Sequence, residues 1–246
     1  MPAIVAVIVL FSGCFATDLE AATVLDSVIA ILNPEFSQGI MTQTIQTTTG
    51  DTRVLEYEVF SGFFGEYSLM RYRQPTKVRN NALLTTDFSD NIWMYNQRTK
   101  RTRKIASHAR KNKFEGSDFS YEDMSTGNSW QKDYHPTIGD DKKIEKIPCH
   151  QLILNRVNKE VSYSKIVCWI RQQDFYPVQV DYYNDKQILQ KTLLLEDIRA
   201  VDGHPTAFKM TMKNHQDRTQ TIMEYLELTY DISFDREFFS DRNLKK

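Results

Sequence analysis

Past residue 20 the chain begins with one segment of helical spacing and then changes to alternation. In EAATVLDSVIAILN (20–33), Ala21, Val24, Leu25, Val28, Ile29 and Leu32 recur every three or four positions. That spacing predicts an amphipathic helix with a single apolar stripe, halted by Pro34. From residue 39 onward the period is two. Leu55, Tyr57 and Val59 alternate with Glu56 and Glu58; Val178, Val180 and Tyr182 alternate with Gln179 and Asp181; Phe208, Met210 and Met212 alternate with Lys209, Thr211 and Lys213. The same alternation predicts strands over 39–48, 52–60, 66–73, 82–88, 91–97, 149–156, 162–171, 176–183, 188–197, 207–213 and 220–230. Turn pairs such as Asn80-Asn81, Asp90-Asn91, Asn184-Asp185 and Asp202-Gly203 separate them. About ten or eleven strands, with no strand–helix–strand alternation, predict a mainly β (α+β) chain: one antiparallel sheet, strongly curved or partly closed.

Several strands are apolar on both faces. In NIWMY (91–95), Ile92 and Met94 oppose Trp93 and Tyr95; in KIVCWI, Ile166, Cys168 and Ile170 oppose Val167 and Trp169. Both faces of such a strand need cover. With one long helix available, the pattern predicts concave apolar surface that the chain itself does not fill, which is how a pocket for an apolar ligand arises.

One hairpin can be registered. If 152–157 and 161–166 turn between Asn158 and Lys159, Cys149 lies opposite Cys168, within disulfide range. A Cys149–Cys168 bridge is therefore expected in an oxidising compartment.

That compartment follows from the start of the chain. Residues 2–16 are uncharged and mostly apolar, too short to span a bilayer and suited to a signal-peptide core, although no Lys or Arg precedes them. Cleavage after Ala16 would release a protein beginning near Thr17. The stretch FSGC (11–14) also fits a lipoprotein box that would leave Cys14 lipidated. The remainder, 17–246, is expected to form a single domain.

Charge names no partner, since 31 basic and 32 acidic residues nearly cancel. The run from Gln97 to Lys113 is locally basic, and includes Arg101, Arg103, Lys104 and Arg110. For an exported chain, nucleic acid is not the partner; a solvated face or a contact with anionic headgroups or an acidic partner fits better. No nucleophile motif, nucleotide loop or paired-His metal spacing occurs, so no metal or cofactor is expected. Asp118, Glu122 and Asp123 could form a carboxylate pair, but Ser117-Asp118 more simply caps a turn beginning near Phe119.

NIWMYNQRTKRTRKIASHARKNKFEGSDFSYEDM (91–124) resembles the signature of LolA-like outer-membrane lipoprotein-sorting proteins: a strand with Trp93 and Tyr95, a basic strand with Arg103-Lys104-Ile105, then Gly116 to Asp123 unbroken. The resemblance extends over the mature chain. It implies an incomplete antiparallel barrel with a helical plug or lid, and a non-catalytic periplasmic carrier that shelters lipid or lipoprotein acyl chains. Lipid-lining residues are then expected among Met41, Trp93, Tyr95, Phe119, Tyr121, Met124, Met210 and Met212. Gly116, Ser117 and Asp118 are the expected cap of a lid, and the basic residues are expected to touch headgroups or a partner at the membrane. The alternatives are a non-catalytic adaptor of an inner-membrane resistance-nodulation-division exporter, and a hydrolase using the acids at 118–123.

Overall fold

The computed structural model describes residues 14–125 and 129–246. Of the expected leader, only the helical backbone of its last three residues falls inside that range. Helix α1 (Cys14–Leu32) ends just before Pro34, and its stripe is buried as the spacing predicts, with Ala21, Leu25 and Val28 nearly inaccessible.

Fourteen strands follow: β1 (Phe36–Gln46), β2 (Thr52–Gly62), β3 (Tyr67–Gln74), β4 (Ala82–Thr86), β5 (Asn91–Asn96), β6 (Arg101–Lys104), β7 (Tyr134–Ile138), β8 (Lys142–Ile144), β9 (Ile147–Arg156), β10 (Lys165–Arg171), β11 (Pro177–Tyr183), β12 (Leu189–Val201), β13 (His204–Asn214) and β14 (Thr219–Thr229). They form one antiparallel sheet ordered β6-β5-β4-β3-β2-β1-β14-β13-β12-β11-β10-β9-β7, with β8 paired to β9. Alternation missed β6, β7 and β8, because RTRK has no apolar position, YHPTI carries Pro136, and KKI is three residues long. The strand β1 sits between β2 and β14, so pairing the two ends of the sequence joins the sheet's halves.

The two edges, β6 and β7, are linked by residues 105–133, the stretch that includes GSDFSYED. Helix α1 packs on β7 and touches β9 and β13, sharing a core with Leu152 and Leu154. The opposite face of β2–β5 is also covered. Phe60, Leu69, Ala82, Leu84 and Tyr95 pack against Phe239 and Leu244, the latter on helix α2 (Asp241–Leu244). Arg71 Nη2 donates to the Asn243 carbonyl at 2.7 Å and ties the clasp down.

The β9–β10 register corrects the disulfide expectation. Cys149 pairs with Arg171 and Cys168 with Leu152, so the loop is centred later than a tight turn at Asn158-Lys159. The offset is three residues, an odd number, which sends the two side chains to opposite faces. Cys168 lies in the main core, Cys149 in a small cluster with Val167, Trp169 and Val178, and both are free thiols. The cause is tertiary: Asn158 Nδ2 donates to Asp133 Oδ1 at 2.8 Å, and the Ser162 amide to Glu122, which hold residues 157–164 open as a long loop.

Candidate functional site

The concave face of the sheet is layered, and strand register fixes the layers. Ser37, Ser61, Ser68 and Thr85 are directly paired neighbours across β1, β2, β3 and β4. Two residues along each strand comes Gly39, Val59, Met70 and Leu83, and beyond these Met41, Tyr57 and Tyr72. Same-face residues two apart are about 7 Å apart along a strand, so the three layers descend like steps.

An apolar cleft of about 240 Å³ lies over this staircase. Met41, Met70, Met210 and Met223 line it with Leu193 and Leu195, and the hydroxyl layer lies at the end beside the turn residues Gly65 and Ser89. Methionine is unbranched and polarizable, so such a wall adapts to different occupants. Gly39 is needed here. A Cβ at that position would stand 2.7 Å from the Glu227 carbonyl and 3.1 Å from the Tyr225 ring, which itself borders the cleft.

The other end is filled. Tyr57 and Tyr72 pack edge to face with centroids 5.7 Å apart, and Phe114 meets Tyr121 in the same way at 5.5 Å. Phe114 arrives on the segment between the sheet edges, and three acids fasten that segment. Asp118, 2% exposed, accepts from Thr219 Oγ1 at 2.5 Å and Thr221 Oγ1 at 2.9 Å on β14, and its amide donates to Thr221 Oγ1. Glu122 accepts from the Ser162 hydroxyl at 2.6 Å. Burial pushes the Glu122 carboxyl above its ordinary range, against the opposing effect of the Ser162 hydrogen bonds. Asp123 accepts from Tyr163 Oη at 2.8 Å and from Lys191 Nζ at 2.9 Å. Burial, reinforced by the Asp123 carboxylate, raises the Tyr163 hydroxyl and keeps it a donor.

These contacts keep one half of the expected cap and correct the other. Ser117 Oγ accepts from the Phe119 amide at 3.2 Å and donates to the Phe114 carbonyl at 2.6 Å, whereas Asp118 reaches across to the sheet. The reciprocal cap is Ser120 with Asp123: the Ser120 amide donates to Asp123 Oδ2 and the Asp123 amide to Ser120 Oγ. Gly116 and its neighbour Glu115 both have positive φ, so the chain reverses sharply just before Ser117. All three acids are thus engaged in latching: Asp118 to β14, Glu122 to Ser162, and Asp123 to Tyr163 and to Lys191 on β12. Among the described residues no cluster of His, Cys, Asp and Glu could hold a metal.

Of the expected lipid-lining residues, Met41, Phe119, Met124 and Met210 border the cleft. Tyr121 and Met212 lie in the core behind it. Trp93 and Tyr95 do not belong to it. They share the opposite face of β5, where Tyr95 is buried under the C-terminal clasp and Trp93, 36% exposed, carries Lys104 over its ring at 5.4 Å. Their partners on the cleft side are Ile92 and Met94, as the alternation in NIWMY requires. The basic residues also divide. Lys104 shares the Trp93 face, Arg103 leans toward the Met94 sulfur, and Arg110 is held by Asp90. Arg101, Arg103 and Lys104 are exposed on an edge strand, where charge blocks edge-to-edge pairing.

Sequence reasoning missed the hydroxyl layer. The signal was present: if 52–60 and 66–73 form a hairpin around FFGE, Ser61 and Ser68 face each other.

A family model described as an uncharacterized protein matches residues 65–246, well over half of the chain. The chain belongs to the DUF1329 family. Its fold recurs in solved structures. A DUF1329 family protein from Desulfovibrio piger superposes with a TM-score of 0.80 at 22% identity, covering 91% of this chain and 98% of that one. A lipoprotein-sorting protein domain from Vibrio parahaemolyticus gives 0.81 at 23%, over 93% and 100%. A LolA superfamily protein from Nitrosomonas europaea gives 0.75 at 18%, over 91% and 98%. At these identities the likeness establishes a LolA-like fold for this DUF1329 member. Comparison with curated proteins gives no match.

Proposed function

We propose that this DUF1329 protein is a periplasmic, non-catalytic carrier that takes up the acyl chains of lipids or lipoproteins for transfer between membranes. The observation that carries this reading is the methionine- and leucine-walled cleft on the concave side of a LolA-like sheet. Exposing an acyl chain to water costs about 0.8 kcal/mol per methylene, on the order of 12 kcal/mol for sixteen carbons, so unaided passage through an aqueous compartment is slow. A cleft that offsets most of this cost removes the barrier without any bond being made or broken.

The volume of about 240 Å³ lies just below the roughly 300–1,000 Å³ of typical ligand pockets. A long chain therefore enters by repacking Met41, Met70, Met210 and Met223, and by displacing α1, whose Leu32 borders the cleft and which serves as the plug. Arg101, Arg103 and Lys104 are the residues available to touch anionic headgroups at the membrane. Among the described residues no helix is long and apolar enough to cross a bilayer, consistent with peripheral contact.

Organic extraction and mass spectrometry of the purified mature protein test the reading. Acyl lipid should be recovered at near one equivalent, and Leu193→Trp, which fills the cleft, should reduce it several-fold. Recovery of no lipid, together with failure to bind an added fluorescent fatty acid, would overturn it.

A further inference from the structure

The hydroxyl layer is out of place in a greasy cleft. On the concave face of β1–β4 the two layers next to it are apolar or aromatic, yet at one end four adjacent strands each present Ser or Thr in direct register: Ser37, Ser61, Ser68 and Thr85. All four border the cleft and all are half-buried. The Ser61 hydroxyl reaches the Tyr67 carbonyl at 3.4 Å, but among the described residues the side chains of Ser37, Ser68 and Thr85 make no hydrogen bond within the protein. Tyr230 continues the row beyond Ser37 and also borders the cleft, with its hydroxyl engaged by Thr206. Neighbouring strands are about 4.8 Å apart, so the three free hydroxyls span on the order of 15 Å. They offer donors to a ligand with several acceptor oxygens side by side, at the point where its apolar tail ends.

Carboxylate or phosphate recognition would call for a cation, and the row contains none. Esters and glycerol hydroxyls are neutral acceptors and donors that suit a row of Ser and Thr. We propose that Ser37, Ser68 and Thr85 form a subsite for the ester and glycerol oxygens of an acylglycerol unit whose tail occupies the cleft. This deepens the carrier reading and rests on it: the apolar wall binds the tail, and the hydroxyl row selects glycerol-linked acyl chains over bare hydrocarbon. The same chemistry occurs in free acylglycerols and in the diacylglyceryl-cysteine of a lipoprotein.

The test uses the mature protein and a triple variant, Ser37→Ala, Ser68→Ala and Thr85→Val, which conserves shape; Ser61 is kept for its backbone contact. Displacement of a bound fluorescent fatty acid is titrated with monododecanoylglycerol, with a synthetic S-(diacylglyceryl)cysteine peptide, and with 1-bromododecane, which has a tail and no ester. Two neutral hydrogen bonds amount to about a tenfold change in affinity. The variant should lose about tenfold for at least one ester ligand while binding bromododecane as the natural protein does, and the ester ligand that weakens names the source. Retained bromododecane binding also shows that the variant is folded. If the variant holds both ester ligands as tightly as the natural protein, the subsite is refuted and the carrier reading stands. If the natural protein binds no probe, both fall.

Discussion

The two ends of the concave face are built on the same strands and differ in what fills them. At the Ile45, Leu55 and Thr221 end, the segment between the sheet edges inserts Phe114 and Phe119, and Asp118 locks it to β14. At the Ser37, Ser61 and Ser68 end nothing comparable arrives, and a cleft remains. Alternation is identical at both, so a period-two pattern says which face is inward and not whether that face is filled. Filling depends on a segment that is itself irregular, and its irregularity is stabilised by buried carboxylates whose acceptor capacity is met by hydroxyl, amide and ammonium donors.

The contrast can be broken most forcefully at the latch. Asp118→Ala should lower the unfolding free energy by about 3 kcal/mol, because the buried Thr221 hydroxyl and the half-buried Thr219 hydroxyl lose a charged acceptor; an unchanged urea midpoint would show that the segment is held by its aromatics alone. Next come truncations at the two ends. Leu55→Ala, in the filled part, should cost about 3 kcal/mol, whereas Met210→Ala, which already faces open volume, should cost about 1 kcal/mol or less. Equal losses would mean that the cleft is as tightly packed as the core. The smallest effect is electrostatic. Because burial raises the Glu122 pKa, the unfolded state releases this proton first as pH rises from about 4.3, so Glu122 subtracts stability from there up through its folded pKa. Glu122→Gln keeps an acceptor for Ser162 and removes that slope. Its stability relative to the natural protein should therefore improve from pH 4 to pH 7, and a constant difference across that range would contradict the assignment.

Much of this was legible in the residues. The stripe of α1, eleven of the strands and the two-sided character of β5 and β10 follow from spacing, because burial on a helix or strand is periodic. Trp93 and Tyr95 were misassigned because alternation separates the faces of a strand without saying which one is concave; the decision is made by Phe239 and Leu244, far away in sequence. The cysteine pair failed for a related reason. Its register assumed a tight local turn, and Glu122 and Asp133 hold that loop open from outside the hairpin. Asp118, Glu122 and Asp123 stand out in the sequence as a cluster of acids, but their partners Thr219, Ser162, Tyr163 and Lys191 carry no sequence signal, since the contacts exist only once the sheet has curved.

The C-terminal clasp bears on the order in which the molecule is made. Strands β2–β5 leave the ribosome early, yet one of their faces stays uncovered until Phe239 and Leu244 emerge, and β1 waits for β14. Until then the nascent half-sheet has greasy surface and an open edge, the conditions under which chains associate wrongly. The first half of the sheet is thus exposed to wrong association until the Phe239 and Leu244 segment has docked on it.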